Sequence, residues 1–247
     1  MISVNPGDVI VGIIISLIAE ALIIVFARSL GWVALPFRTI RHVINLHNRL
    51  ELNGFYNFYA SRDDYVRFRE APRLPDYLGL AQKSIKVCAL WMAESTEMEG
   101  VANAIAELVR PPRNIEVTIC IVNPKGPAVD SLASYLDMKT EETRTRTTNA
   151  LMRLCESRET LAPKEKERFK IKVYNAMPAA SVILIDTNTE YGRAQIDIKP
   201  YKTPRRFSFS FELRGRGKHL YDLCVGAWER LVEESEDFDP LKHLATT

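Results

Sequence analysis

Between Lys199 and His219 the chain reads KPYKTPRRFSFSFELRGRGKH, seven basic residues against a single acid, Glu212. Lys199, Lys202, Arg205, Arg206, Arg214, Arg216 and Lys218 are side chains that neutralise phosphate, and Tyr201, Phe207, Phe209 and Phe211 are interleaved with them. Single-stranded nucleic acids are held by that combination, cations along the backbone and rings under the bases. The rings have a second reading. Phe207, Phe209 and Phe211 alternate with Ser208 and Ser210, so they share one face of a strand, and such a face also builds core. The cations have theirs, a solvated loop or a contact with anionic lipid. At the end of the stretch, RGRGKH sets two glycines before a helix. Glycines let backbone approach an anion, and the first N–H groups of a helix face it. Arg214, Lys218 and His219 are expected to converge on a phosphate there.

Two more basic residues are candidates for the same ligand. Arg62 in YASRDDY stands near a helix start, with Asp63 and Asp64 as competing partners. Lys125 in VNPKGP follows an apolar strand, where ligands collect in α/β sheets. Arg144 and Arg146 are flanked by acids and read as a surface helix. Asp186, Glu190 and Asp197 are spaced around a turn in no recognised ligand pattern, so no metal and no cofactor are expected. The four cysteines, Cys88, Cys120, Cys155 and Cys224, form no CxxC pair and sit in apolar contexts, as buried reduced thiols do. The net charge of +2 makes every electrostatic argument a local one.

A different carboxylate raises a different question. The run VIVGIIISLIAEALIIVFA, Val9 to Ala27, is interrupted only by Ser16 and Glu20. As a helix its length is roughly 28 Å, close to the hydrocarbon thickness of a bilayer. The residues before it hold an acid and no base, unlike a signal peptide, while Arg28, Arg38, Arg41 and Arg49 follow it. That asymmetry implies one spanning helix in a cell membrane, with the N-terminus outside and the C-terminal part cytoplasmic. A carboxylate at this depth is neutralised, paired or facing water. Either Glu20 pairs neighbouring helices, or several copies line a cation path with Glu20 and Ser16. One helix per chain encloses nothing, so the second reading requires a homo-oligomer; four copies are the expectation.

The elements that must position these residues follow from periodicity. PFRTIRHVINLHNRL gathers Phe37, Ile40, Val43, Ile44, Leu46 and Leu50 mostly on one helical face, an amphipathic connector after Pro36 that lies on lipid, packs on its copies or simply links. Beyond Gly54, apolar strands alternate with helical stretches. SIKVCALW, IEVTICIV, FKIKVYN, SVILIDTNT, YGRAQIDIK and RRFSFSFELR read as strands; EGVANAIAELVR, the polar segment from Pro127 to Glu167 and KHLYDLCVGAWERLVEES read as helical. The expected fold is α/β with a mixed sheet. The expected organisation is a transmembrane segment (1–35), a connector (36–53), a cytosolic domain (54–235) and an acidic, flexible tail (236–247).

GFYNFYASRDDY, the strand–helix–strand–NP unit, KVYNAMPAASVILIDT and the strand leading into LRGRGKHLYD…AWERL together resemble one lobe of the phospholipase D-like family over about residues 54–234. The resemblance implies the family's fold and a phosphodiester ligand. Its catalysis uses His-x-Lys followed by Asp, with the histidine as nucleophile. The corresponding stretch here is SVILID, with Ser181 and Ile183 standing about where that histidine and lysine would be, and the chain contains no HxK. A domain that binds a phosphodiester without cleaving it is therefore expected.

The whole arrangement is similar to membrane effectors of bacterial antiphage systems of the Hailong type. There a nucleotidyltransferase makes an oligonucleotide signal that restrains a channel. This implies a nucleotide or single-stranded oligonucleotide ligand, a lipid environment and a nucleotidyltransferase partner. Two other readings stand beside it: a membrane-anchored phosphodiesterase or nuclease using His219 or a metal, and a membrane tether for a partner protein.

Overall fold

The structure is a computed structural model that describes residue 20 and residues 37–59, 74–89, 96–203 and 207–244. The chain divides into two units, Met1–Leu50 and Glu51–Thr247. The run Val9 to Ala27 lies outside the described residues except for Glu20, which is helical and exposed. No helix among the described residues is long and apolar enough to cross a membrane. The connector forms helix α1 (Phe37–Leu52), and Val43, Ile44, Leu46 and Leu50 on it are all exposed.

Among the described residues the second unit is built on eight strands: β1 (Phe55–Tyr59), β2 (Ser84–Ala89), β3 (Glu116–Val122), β4 (Phe169–Tyr174), β5 (Ser181–Ile185), β6 (Arg193–Ile198), β7 (Phe209–Arg214) and β8 (Glu236–Asp237). They form one mixed sheet in the order β1-β7-β6-β5-β2-β3-β4-β8. β2, β3 and β4 run parallel, and the others pair antiparallel. Parallel neighbours need crossovers, which the helices supply. After the short α2 (Leu74–Leu78), α3 (Thr96–Val109) joins β2 to β3, and α4 (Ala128–Leu136), α5 (Thr140–Glu159) and α6 (Pro163–Lys166) join β3 to β4. α7 (His219–Glu234) follows β7, and α8 (Pro240–Leu244) ends the described chain. The segment from Pro127 to Glu167, read from sequence as one polar helical stretch, is thus three helices. The left-handed backbone of Asp137 (φ 60°) ends the first of them.

Strand alternation gives each side of the sheet its own core. On one face Ile85, Val117, Ile119, Ile121, Phe169, Ile171 and Ile183 bury against α3, α4 and α5. On the other, Val182, Leu184, Ala194, Ile196 and Leu213 pack against Tyr221 and Val225 of α7. Phe211 belongs to this second core and stacks on Phe55 with centroids 5.9 Å apart, while Phe209 meets Phe58 at 6.1 Å. Core is what Phe211 makes; Phe207, just before β7, is exposed. Cys88 and Cys120 are cross-strand partners, both buried and free.

The acidic tail is not a loose end. Glu236 and Asp237 add β8 to the edge beside β4, and Phe238 buries while its N–H donates to Ile171 O at 2.9 Å. One buried aromatic ring outweighs the acidity of its neighbours.

One carboxylate locks the turn between β5 and β6 to the start of β2. Asp186, itself left-handed (φ 50°), accepts the backbone N–H groups of Gln82, Lys83 and Ser84, each at 2.8 Å. A chain of bonds that long in sequence and that short in space fixes β5 against β2. Asp186→Ala should lower unfolding stability in urea by about 3 kcal/mol, because three donors lose a charged acceptor at a buried site. Asp186→Asn should lose part of that.

Candidate binding site on the polar half of the sheet

The face that buries Ile119 and Ile171 changes character across the sheet. Beyond Ile183 and Ile185 of β5, the side chains on the same side are polar. One cross-strand row holds Tyr59, Ser210, Asp197 and Ser181; the next holds Asn57, Glu212, Gln195 and Ile183; a third holds Arg214, Arg193 and Ile185. Rows on a sheet are spaced so that neighbouring side chains touch. Ser210 is 1% exposed and Glu212 3%, so this polar half is itself largely covered.

Glu212 organises it. Its Oε1 lies 2.7 Å from Arg214 Nε and 3.7 Å from Arg193 Nη1, two guanidinium groups on one shielded carboxylate. The group carries one net positive charge. Around it, Asn57 Nδ2 donates to Tyr59 Oη at 2.8 Å, and Gln195 Nε2 donates to Asp197 Oδ1 at 3.1 Å. From α2, Tyr77 reaches toward this cluster. Burial, then the charge of Glu212, pushes its phenol well above the ordinary tyrosine value, so it stays a hydrogen-bond donor. Its hydroxyl is buried with no partner among the described residues. An unpaired donor beside two arginines is suited to an anion.

A β-bulge adds an aromatic residue. Phe55 pairs with Leu213 and Asn57 with Glu212, so Tyr56 is an extra residue in β1. Its ring lies under the Arg214 guanidinium, 3.2 Å from atom to centroid.

The basic stretch singled out in the sequence does not gather in one place. Lys199 follows β6 and Arg214 ends β7, and the strands between them separate their backbones by roughly 20 Å at about 3.3 Å per residue. At the Lys199 end, Tyr135 Oη donates to the Lys199 carbonyl, Lys202 pairs with Asp137 at 3.4 Å, and burial pulls the Lys199 ammonium below the ordinary lysine value. Lys125, whose N–H donates to Asn123 Oδ1 at 3.1 Å, follows β3 at that same edge of the sheet.

At the opposite end, Arg216 Nη1 donates to Asn188 O at 3.2 Å and Lys218 Nζ to Glu51 O at 2.9 Å. Gly215 (φ 94°) and Gly217 (φ 87°) are both left-handed, and the Gly217 N–H donates to Asp222 Oδ1 at 3.1 Å. The turn before α7 is thus occupied with its own chain, and of its basic residues Arg214 alone extends into the polar half. His219 begins α7 at that end. Arg62, Arg205 and Arg206 lie outside the described residues.

Catalytic groups can be placed as well. Ser181 stands in the polar rows, Ile183 beside Gln195. No strand among the described residues carries a histidine, and His219 sits at the other end of β7 from Ser181's row. Asp186 and Asp197 lie at opposite ends of β5 and β6, so they share no metal, and no group of ligands for a metal occurs among the described residues.

Arg193, Gln195, Tyr56, Asn57, Tyr59 and Tyr77 were not anticipated as site residues. The signal for two was present: RAQIDI, read as a strand, places Arg193, Gln195 and Asp197 on one face. Nothing in the sequence shows the bulge at Tyr56.

No protein-family profile and no curated protein matches this chain. Among solved structures it is similar to Nuc from Salmonella typhimurium, a phospholipase D family member (12% identity, TM-score 0.41, 66% of this chain and 87% of that one). It is similar to TrmBL2, an archaeal chromatin protein (9% identity, TM-score 0.42, 95% and 71%), and to phosphatidylserine synthase from Haemophilus influenzae (13%, 0.47, 72% and 38%). At such scores these likenesses decide nothing about ligand or activity.

Glu212→Gln should cost about 2 kcal/mol in urea unfolding. That is below the 3–5 kcal/mol of a fully buried pair because both arginines reach solvent. Arg193→Ala should cost less than Arg214→Ala, whose guanidinium also covers Tyr56.

Proposed function

We propose that this chain is a subunit of an oligomeric, channel-like membrane effector whose α/β domain binds a nucleotide or single-stranded oligonucleotide without cleaving it. The observation that carries the binding reading is the polar half of the sheet. Two arginines meet one shielded carboxylate there, the buried Tyr77 hydroxyl has no partner among the described residues, and the group carries one net positive charge. A phosphodiester supplies one negative charge and acceptor oxygens. Binding without cleavage is supported in this reading by the sequence, which holds no HxK, and by Ser181 in the polar rows.

The membrane part of the reading rests on the apolar run from Val9 to Ala27 and on Glu20 and Ser16 within it. Copies of the chain, four in this reading, would surround a cation path with their Glu20 carboxylates. Ligand occupancy gates it if the ligand prefers one conformation by a few kcal/mol, which holding or releasing a phosphate at Arg193 and Arg214 can supply. A bacterial nucleotidyltransferase is the class of enzyme that would make such a ligand, and antiphage defence is the setting this architecture fits.

Fluorescence anisotropy with a short labelled single-stranded DNA tests the binding. Affinity should fall steeply with salt, and Arg193→Ala with Arg214→Ala should weaken it about tenfold or more, with no shortened product on a denaturing gel. Hydrolysis of the oligonucleotide would overturn this reading. In liposomes, Glu20→Gln should change cation flux while leaving oligonucleotide affinity unaltered.

A further inference from the structure

Tyr56 is the aromatic residue at this site whose ring is most plainly set up to meet something. It is 57% exposed, although it sits in a strand of the sheet. The bulge in β1 turns it out of the alternation that buries Phe55 and Phe211 in the opposite core. One face of the ring is already taken by the Arg214 guanidinium, 3.2 Å from the centroid. That guanidinium cannot drift, because its Nε is held at 2.7 Å by Glu212, which is 3% exposed. An exposed tyrosine is normally a mobile one; this tyrosine is clamped from beneath. Its other face is left to solvent among the described residues.

Stacking a planar group on a ring that is already fixed avoids the entropy cost of ordering the ring at binding. The guanidinium on the far side adds a cationic backing to the ring. Among the described residues the Arg214 side chain makes no hydrogen bond besides the one from Nε, so both Nη amines remain as donors at the ring's border, while its backbone N–H donates to Gly54 O at 2.7 Å. A flat group on the ring with an anion beside it is the composition of a nucleotide, and a base stacked without edge contacts is read without regard to sequence.

We propose that Tyr56, backed by Arg214 and Glu212, is the base-stacking platform of the ligand site, and that its ligand is a single-stranded oligonucleotide. Its base would lie on the outer face of Tyr56 and its adjoining phosphate at the Arg214 Nη atoms. This rests on the reading of the domain as a phosphodiester binder and deepens it. A lipid headgroup would satisfy the arginines equally well and make no use of the ring.

The test is a titration of full-length protein with a short single-stranded DNA carrying one 2-aminopurine, followed by anisotropy and by 2-aminopurine emission. Binding to the wild type should quench emission. Tyr56→Ala should weaken binding about tenfold, within the range of one base–aromatic stack, and abolish the quenching. Tyr56→Phe should preserve both. Wild-type affinity and quenching in Tyr56→Ala would overturn the platform and leave the phosphodiester reading standing. Weaker binding with quenching intact would overturn it too, since Tyr56 would then act only by holding Arg214. No binding by the wild-type protein would overturn both.

Discussion

A carboxylate shut away from water between two guanidinium groups is the constraint on which the second half of the sheet depends. Glu212 is tolerable at its position only because Arg193 and Arg214 flank it. Those arginines are in turn held at defined places by that carboxylate. Take it away and the polar rows would be two like charges on neighbouring strands, an arrangement that repels. The apolar half of the same face needs no such device, because α3 and α5 cover Ile119 and Ile171 with hydrocarbon. One sheet face therefore serves two purposes, with Ile183 and Ile185 at the border between them.

The polar rows offer hydroxyls, amides, guanidinium groups and carboxylates. Above all they offer rigidity. Asn57 bonded to Tyr59, Gln195 to Asp197 and Arg214 to Glu212 are side chains with fixed partners, and fixed donors lose little freedom on meeting a ligand.

Much of the fold was legible in the sequence and much of the site was not, for a physical reason. Strands β3 and β5 are short apolar runs because both of their faces are covered over most of their length, and runs such as IEVTICIV announce themselves; in β2 and β4, Lys86, Lys170 and Lys172 alternate with buried residues. Strand β1 is harder, since FYNFY mixes core, bulge and site residues within five positions. The acidic end misled because charge was weighed over a window, whereas a single ring, Phe238, decides where β8 goes. The basic stretch misled in a more general way. Residues that crowd together in the sequence are driven apart by an extended strand, so Lys199 and Arg214 face different ends of the sheet. Alternation, read along RAQIDI and FSFELR, was the better guide, for it groups Arg193, Gln195 and Asp197 with Ser210, Glu212 and Arg214. The membrane segment and Glu20's role rest on sequence alone.

The position of β1 has a bearing on how the chain comes to be folded at all. Among the described residues it is the first strand of the domain and its only partner is β7, so its backbone bonds join residues roughly 150 positions apart, a separation at which closing the loop makes pairing slow. During synthesis, β1 cannot pair with β7 until nearly the whole domain has left the ribosome. Tyr56 takes its place over Arg214 only at that last step. The stacking surface is thus a product of completion: a truncated or stalled chain can hold the inner strands and still have no platform.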